Sequence, residues 1–181
     1  MQRPGVTQGH RKRREGVAAV EFGIVALPFF ALMFAIFEIG LVFVTSSVLE
    51  NAVVETSRLI RTGQASNRNF DAAGFKAEMC GRMSIFAGDC ESRANIDVRE
   101  VPKFSSSLPD PLADGEMNKA VLVYQGGQPG SLMVVRAWYD QPVITPFLTR
   151  AVDKGKGGKT ILTVTTAFRN EPWGWGSGTT P

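Results

Sequence analysis

The stretch RKRREGVAAVEFGIVALPFFALMFAIFEIGLVFV, residues 11–44, decides the architecture of this chain. Its first four residues are basic, and residues 17–44 contain only two charged side chains, Glu21 and Glu38. As a helix, the 28 residues 17–44 are about 42 Å long, whereas the hydrocarbon core of a bilayer is about 30 Å thick. We therefore predict a transmembrane helix over residues 17–44.

Positive charge is concentrated before this helix. Residues 1–16 carry five basic side chains and one acidic side chain, a net charge of +4, whereas the remainder carries 15 basic and 16 acidic side chains. Such a nearly neutral remainder lacks the basic surface that nucleic acids require, so no nucleic-acid partner is expected. The cluster Arg11, Lys12, Arg13 and Arg14 predicts a cytoplasmic N-terminus and an exported C-terminal part. A basic arm that binds an anionic polymer is the alternative.

Three interpretations of the N-terminal segment compete. A secretory signal has an apolar core of about 7–15 residues and then a small-x-small cleavage site, but this run is about twice as long and lacks such a site. A plain signal anchor accounts for charge and length but leaves Glu21 unexplained, because an acid within a membrane helix is costly. In the third interpretation the chain is cleaved after Gly16, so that Val17 becomes the N-terminus and Glu21 its fifth residue.

The third interpretation is supported by a resemblance to a known family. Residues 16–22 (GVAAVEF) resemble the processing site of type IV prepilins. Residues 13–40 (RREGVAAVEFGIVALPFFALMFAIFEIG) closely resemble the TadE-like proteins of tight-adherence (Tad) pilus systems. The similarity continues through residues 48–58 and recurs faintly in residues 168–172, whereas residues 65–160 show no detailed resemblance.

The resemblance implies a role. A membrane-embedded prepilin peptidase would cut between Gly16 and Val17, leaving a minor pilin-like subunit (a pseudopilin) that serves assembly or initiation of a Tad pilus in surface adhesion. Its partners would be other pilin-like subunits and the Tad inner-membrane assembly platform. The chain would cross the inner membrane once, in contact with the lipid bilayer, with its C-terminal domain in the periplasm. An unprocessed, membrane-anchored periplasmic binding module is the alternative.

Glu21 has a physical role in this interpretation. Cleavage would free an α-amino group at Val17, which is charged at neutral pH because the ordinary pKa of such a group is about 8. Pairing Glu21 with the amine of a neighbouring subunit would neutralise two charges where desolvation penalises each of them, and pairing within one chain is the alternative. Glu38 is either a tolerated acid near the interface or a contact to a partner helix. Pro28 predicts a bend.

Beyond the membrane we predict an α+β, pilin-like build. Residues 45–62 continue the helix as an amphipathic segment whose apolar stripe the downstream domain covers, and Gly63 is the predicted C-cap. Residues 63–170 form the periplasmic domain, with a second helix over 69–86 and an antiparallel β-sheet. The predicted strands are 96–101, 119–124, 131–139 and 160–168, with a hairpin turn at 126–130. Residues 104–117 and 153–159 are predicted loops, and 171–181 a flexible tail.

The remaining reactive residues are few. Cys80 and Cys90 predict one disulfide closing an 11-residue ring in an oxidising compartment, with two unrelated thiols as the alternative. His10, the single histidine, lies in the leader, so we expect no catalytic triad, no metal site, no cofactor and no small-molecule substrate. The chain is accordingly predicted not to be an enzyme. Trp173 and Trp175 either contact a partner or pack on their own domain.

Overall fold

The computed structural model describes residues 9–112, 116–143 and 159–173. Its long first helix is followed by a small α+β domain, which confirms the predicted fold class. The helices are α1 (Gly9–Arg61), α2 (Gln64–Asn67), α3 (Ala72–Gly81) and α4 (Ala87–Arg93), with 3-10 turns at Ser84–Phe86 and Lys119–Val121. The strands β1 (Ala94–Val101), β2 (Leu132–Pro142) and β3 (Lys159–Arg169) form one antiparallel sheet in the order β1-β2-β3.

The last turns of α1 form one wall of the core. Leu49 and Val53 are fully buried and Ile60 is 1% exposed, as expected for apolar residues spaced along one helix face. The sheet supplies the other wall, because alternate residues of a strand point to the same side. The β2 residues on that side are Met133, Val135, Ala137 and Tyr139, all fully buried. The predicted cover of the amphipathic stripe by the downstream domain is confirmed.

Gly63 ends the long helix. Its φ of +76° lies in the left-handed region, and its amide donates to the Ile60 carbonyl at 3.0 Å, as in a glycine-terminated helix. A Cβ at this position would overlap the Trp173 ring, so the indole lies directly on the turn. The Glu171 amide also donates to the Arg61 carbonyl at 2.9 Å. Trp173 therefore packs on its own domain, and Trp175 lies outside the described residues.

The predicted strand over residues 119–124 is wrong. Residues Lys119–Val121 form a 3-10 turn, because the Asn118 side chain accepts a hydrogen bond from the Ala120 amide at 3.1 Å. Tyr124 makes only an isolated parallel bridge to Val98, on the outer edge of β1. The predicted hairpin at 126–130 is therefore wrong too, since β2 has β1 and β3 as its neighbours.

The predicted second helix over 69–86 is shorter in the structure and is followed by a further helix. Asp71 caps α3 by accepting from the Gly74 amide at 2.7 Å, and α3 ends at Gly81. The helix α4, which follows the Ser84–Phe86 turn, was not predicted. The chain passes through Pro28 without leaving α1, so a bend there stays a prediction. The side chains of Arg11, Lys12, Arg13 and Arg14, the loop residues 153–158 and the tail residues 174–181 lie outside the described part.

Candidate functional site

The N-terminal half of α1 exposes a large apolar surface. Within Gly16–Arg61, the most apolar window has a mean hydropathy of 2.4 and only 6% of its residues are buried. Side chains such as Phe22 and Leu27 are 71% and 75% exposed, which is far outside what a water-facing helix tolerates. This one long apolar helix suggests a membrane anchor.

The predicted processing residues lie at the start of that surface. Gly16, Val17 and Glu21 are all exposed, and they lie on one uninterrupted helix. No atom from outside its own helical turn lies within 4 Å of a Cβ built at Gly16, so the described fold does not require a glycine there. Glu21 lies about 6 Å along the axis and about 40° around it from Val17. The structure therefore keeps Val17 and Glu21 exposed on the same face of α1, far along the helix from the described core of the C-terminal domain, the part of the chain after Gly63.

Farther along, α1 begins to be covered on one face. Ala35 is 7% exposed and Thr45 is fully buried, and the Thr45 hydroxyl donates to the Leu41 carbonyl at 2.8 Å. Glu38 lies between them and is half-buried. The same helix therefore changes from an exposed apolar rod to a core element with no linker between the two parts.

A groove opens where α1 meets the C-terminal domain. Its volume is about 550 Å³. One wall is the α1 face with Phe34, Phe37, Glu38 and Leu41, and the other combines Phe86, Asp89, Arg93, Gln141 and Pro142. Five of these nine lining residues are apolar and three are charged.

The disulfide fixes one wall of this groove. Cys80 at the end of α3 is bonded to Cys90 in α4, with 5.4 Å between the two Cα atoms. Both cysteines are buried, at 3% and 0% exposure. The predicted pairing is confirmed. In the chain-entropy model a ring of this size stabilises the fold by about 2–3 kcal/mol. The bond also holds α4, which carries the groove residues Asp89 and Arg93.

A buried ionic cluster lies on the other face of the sheet, the one that points away from the core residues Met133 and Val135. Asp97 has a side chain only 1% exposed and contacts Arg99 Nε at 2.8 Å and Arg136 Nη2 at 2.7 Å. The Val123 amide donates to the same carboxylate at 2.9 Å. Burial alone raises the pKa of Asp97, but hydrogen bonds from the two arginines and the amide outweigh burial and hold the pKa below its ordinary value of 3.8.

The two arginines extend this cluster to the long connection between β1 and β2. Arg136 donates to the Pro109 carbonyl at 2.9 Å, and Arg99 donates to the Val121 carbonyl. Arg136 also lies over the Trp138 ring, with 5.0 Å from Cζ to the ring centroid. These contacts hold the connection on the sheet, so the role of the cluster is structural.

Sequence reasoning missed both the ionic cluster and the groove. A signal existed for part of the cluster, because Asp97 and Arg99 are two residues apart in a predicted strand and therefore share a face. Arg136 comes opposite Asp97 only through the β1–β2 register. In the described ranges, no three His, Cys, Asp or Glu side chains form a group that would hold a metal ion.

Comparison with known proteins identifies one segment. The family model described as TadE-like protein matches residues 16–58. No curated protein and no solved structure matches the chain at a significant level. The matched segment begins at Gly16 and includes Glu21, the exposed apolar surface and most of the buried face of α1. Proteins of this family are typically structural rather than catalytic. The resemblance to the TadE-like family is therefore confirmed for residues 16–58, and it implies a protein associated with a Tad pilus.

Proposed function

We propose that this chain is a minor pilin-like subunit that serves the assembly or initiation of a Tad pilus in surface adhesion. A single span holds it in the inner membrane, with the N-terminus in the cytoplasm and the C-terminal domain in the periplasm. The observation that carries this proposal is the position of Gly16 and Glu21, exposed at the head of an apolar helix that matches the TadE-like model. The partners are other pilin-like subunits and the inner-membrane assembly platform.

In this proposal the prepilin peptidase cuts between Gly16 and Val17. Two features of the helix support this step. Gly16 is exposed, and the space around its missing Cβ is open, so a peptidase reaches this peptide bond without unfolding the C-terminal domain.

After cleavage, Glu21 and the new amine of Val17 carry opposite charges at similar membrane depth. Each charge is expensive to bury in hydrocarbon alone, so pairing is strongly favoured. We propose that Glu21 pairs with the amine of a neighbouring pilin-like subunit, because such a pair also fixes the axial register between packed helices. Its exposure on α1 leaves the Glu21 side chain accessible to a second helix.

The length of the mature chain tests this proposal. Intact mass and N-terminal sequencing are compared between cells with and without the prepilin peptidase. We expect a start at Val17 only when the peptidase is present, and Gly16→Val should block the cut. Gly23→Val is the matched control, because its Cβ space on the same helix is equally open. A leader retained in the presence of the peptidase contradicts the proposal and favours the unprocessed membrane-anchored periplasmic binding module.

A further inference from the structure

The groove between α1 and the C-terminal domain lies at the depth where the membrane ends. Counting from Val17, Phe34 lies about 26 Å and Leu41 about 36 Å along the helix axis. A hydrocarbon core of about 30 Å that begins at Val17, the first residue of the apolar run, therefore ends between these two residues. The groove is thus open both to the acyl chains of one leaflet and to the headgroups above them.

The residues that line the groove likewise divide into an apolar set and a charged set. Phe34, Phe37 and Leu41 on α1, facing Phe86 and Pro142, give an apolar channel. The charged residues of the groove, Glu38, Asp89 and Arg93, carry both signs and sum to −1. An apolar channel with charges of both signs at the headgroup level matches a lipid that has an acyl chain and a zwitterionic headgroup.

The Asp89 and Arg93 side chains retain hydrogen-bonding capacity for a headgroup. Arg93 Nη2 contacts Asp89 Oδ2 at 3.1 Å, and these side chains are 34% and 64% exposed. A guanidinium has five N–H donors, so this contact leaves donors for a phosphate, while the carboxylate has further acceptor sites for an ammonium group. An anionic headgroup without an amine would meet a rim of net negative charge and be disfavoured.

We propose that this groove binds one zwitterionic aminophospholipid, with an acyl chain along Phe34, Phe37 and Leu41. The phosphate contacts Arg93, and the ammonium group contacts the carboxylates. The inference goes beyond a role in the pilus and rests only on insertion of α1 into a bilayer, not on processing at Gly16 or on entry into a filament. The bound lipid fixes the height of the C-terminal domain above the membrane.

Native mass spectrometry of the full chain tests this site. The protein is reconstituted into bilayers with equal amounts of phosphatidylethanolamine and phosphatidylglycerol, then released gently in detergent. We expect one phosphatidylethanolamine to be retained per chain, in preference to phosphatidylglycerol. Arg93→Gln should lower retention about tenfold, because a charge-assisted hydrogen bond to the phosphate is lost. Leu41→Trp should abolish retention of phosphatidylethanolamine, because the larger side chain occupies the groove.

Two control variants separate this site from general effects. Arg82→Gln removes an i,i+4 ion pair to Glu78 whose arginine is 35% exposed, so it matches Arg93 away from the groove. Phe43→Trp places an indole on the same helix, about 160° around the axis from Leu41. Both controls should retain phosphatidylethanolamine like the unaltered chain.

Four outcomes overturn the inference. Equal retention of the two lipids removes the headgroup assignment, and equal effects of the groove variants and their controls remove the site. Release as a dimer without lipid, disrupted by Leu41→Trp, assigns the groove to a second copy of the chain instead. A chain that fails to enter the bilayer overturns the membrane anchor itself, so failure of the proposed function is distinguished from failure of the lipid site.

Discussion

At the scale of single residues, Asp97 keeps a negative charge where only 1% of its side chain is exposed. Removing one partner of a buried ion pair leaves the other charge uncompensated. We expect Asp97→Asn to lower the free energy of unfolding by about 3 kcal/mol, measured by urea denaturation of the full chain in detergent. Asp89→Asn removes the acid of a largely exposed pair and should change stability by less than about 1 kcal/mol. Equal losses in the two variants would show that burial of Asp97 contributes nothing.

The same carboxylate sets a pH dependence. Its pKa lies below 3.8 in the folded protein, so the folded state binds the proton less readily than the unfolded chain. The stability from Asp97 is therefore fully present above about pH 4 and is lost as the pH falls toward the lower, folded pKa. We expect the unfolding free energy of the unaltered chain to fall more steeply below about pH 4 than that of Asp97→Asn. If the unfolding free energies of the two proteins fall equally with pH, this role of Asp97 is contradicted.

The contact of a single residue can be predicted from sequence when the residue that it contacts is near in the chain. The Cys80–Cys90 pair is recognised from local spacing, and the structure confirms it. The processing role of Gly16 and the pairing role of Glu21 stay predictions. The ionic cluster is not recognised from local spacing, because Arg136 reaches Asp97 from 39 positions away through strand register. Hydrophobic patterning places both residues in strands but does not say which residues face each other.

At the scale of elements, the end of α1 depends on glycine for two independent reasons. Gly63 has a φ of +76°, and a Cβ there would overlap the Trp173 ring. We expect Gly63→Ala to destabilise the domain by more than about 1 kcal/mol, measured as a shift of the denaturation midpoint. The control is Gly81→Ala at the end of α3, where no atom lies within 4 Å of the added Cβ. It should be neutral or slightly stabilising, and equal effects at both positions would contradict the role of the Trp173 contact.

The helices and strands also show where sequence patterns fail to predict secondary structure. The apolar periodicity of α1 and the β-branched runs of β2 and β3 predict these elements well. The run at 119–124 has strand composition, yet β2 already pairs with β1 and β3, and Asn118 caps a turn instead. The run reaches the outer edge of β1 but makes only one isolated bridge there, so strand composition alone does not decide between strand and turn.

At the scale of the whole molecule, the proposed function predicts the effect of neutralising Glu21. We expect Glu21→Gln to leave membrane insertion and the mature start at Val17 unchanged but to reduce pilus output severalfold, because the charge partner of the neighbouring amine is lost. Shed and surface pili are counted by immunoblot of the pilin. Glu50→Gln, an exposed acid on the same helix beyond the membrane, is the control. Undiminished pilus output in Glu21→Gln would contradict subunit pairing through this residue.

The general architecture, a membrane helix joined to an α+β domain with one disulfide, follows from the sequence. The groove does not, because its walls come from α1, from α4 and from the end of β2. Only the packed arrangement brings Phe37, Arg93 and Gln141 to one place. A family model that matches residues 16–58 likewise describes the helix and says nothing of the wall contributed by the C-terminal domain.

The continuity of α1 has a mechanical consequence. Its exposed apolar part and its buried residues Leu49, Val53 and Ile60 belong to one helix, with no linker between them. A tensile load that draws the helix along its axis, as in lifting a subunit out of the bilayer, is therefore carried directly into the hydrophobic core. The C-terminal domain therefore turns together with the turns of α1 that carry these buried residues. The orientation of that part of the helix in an assembly thus sets the orientation of the surfaces that the domain presents.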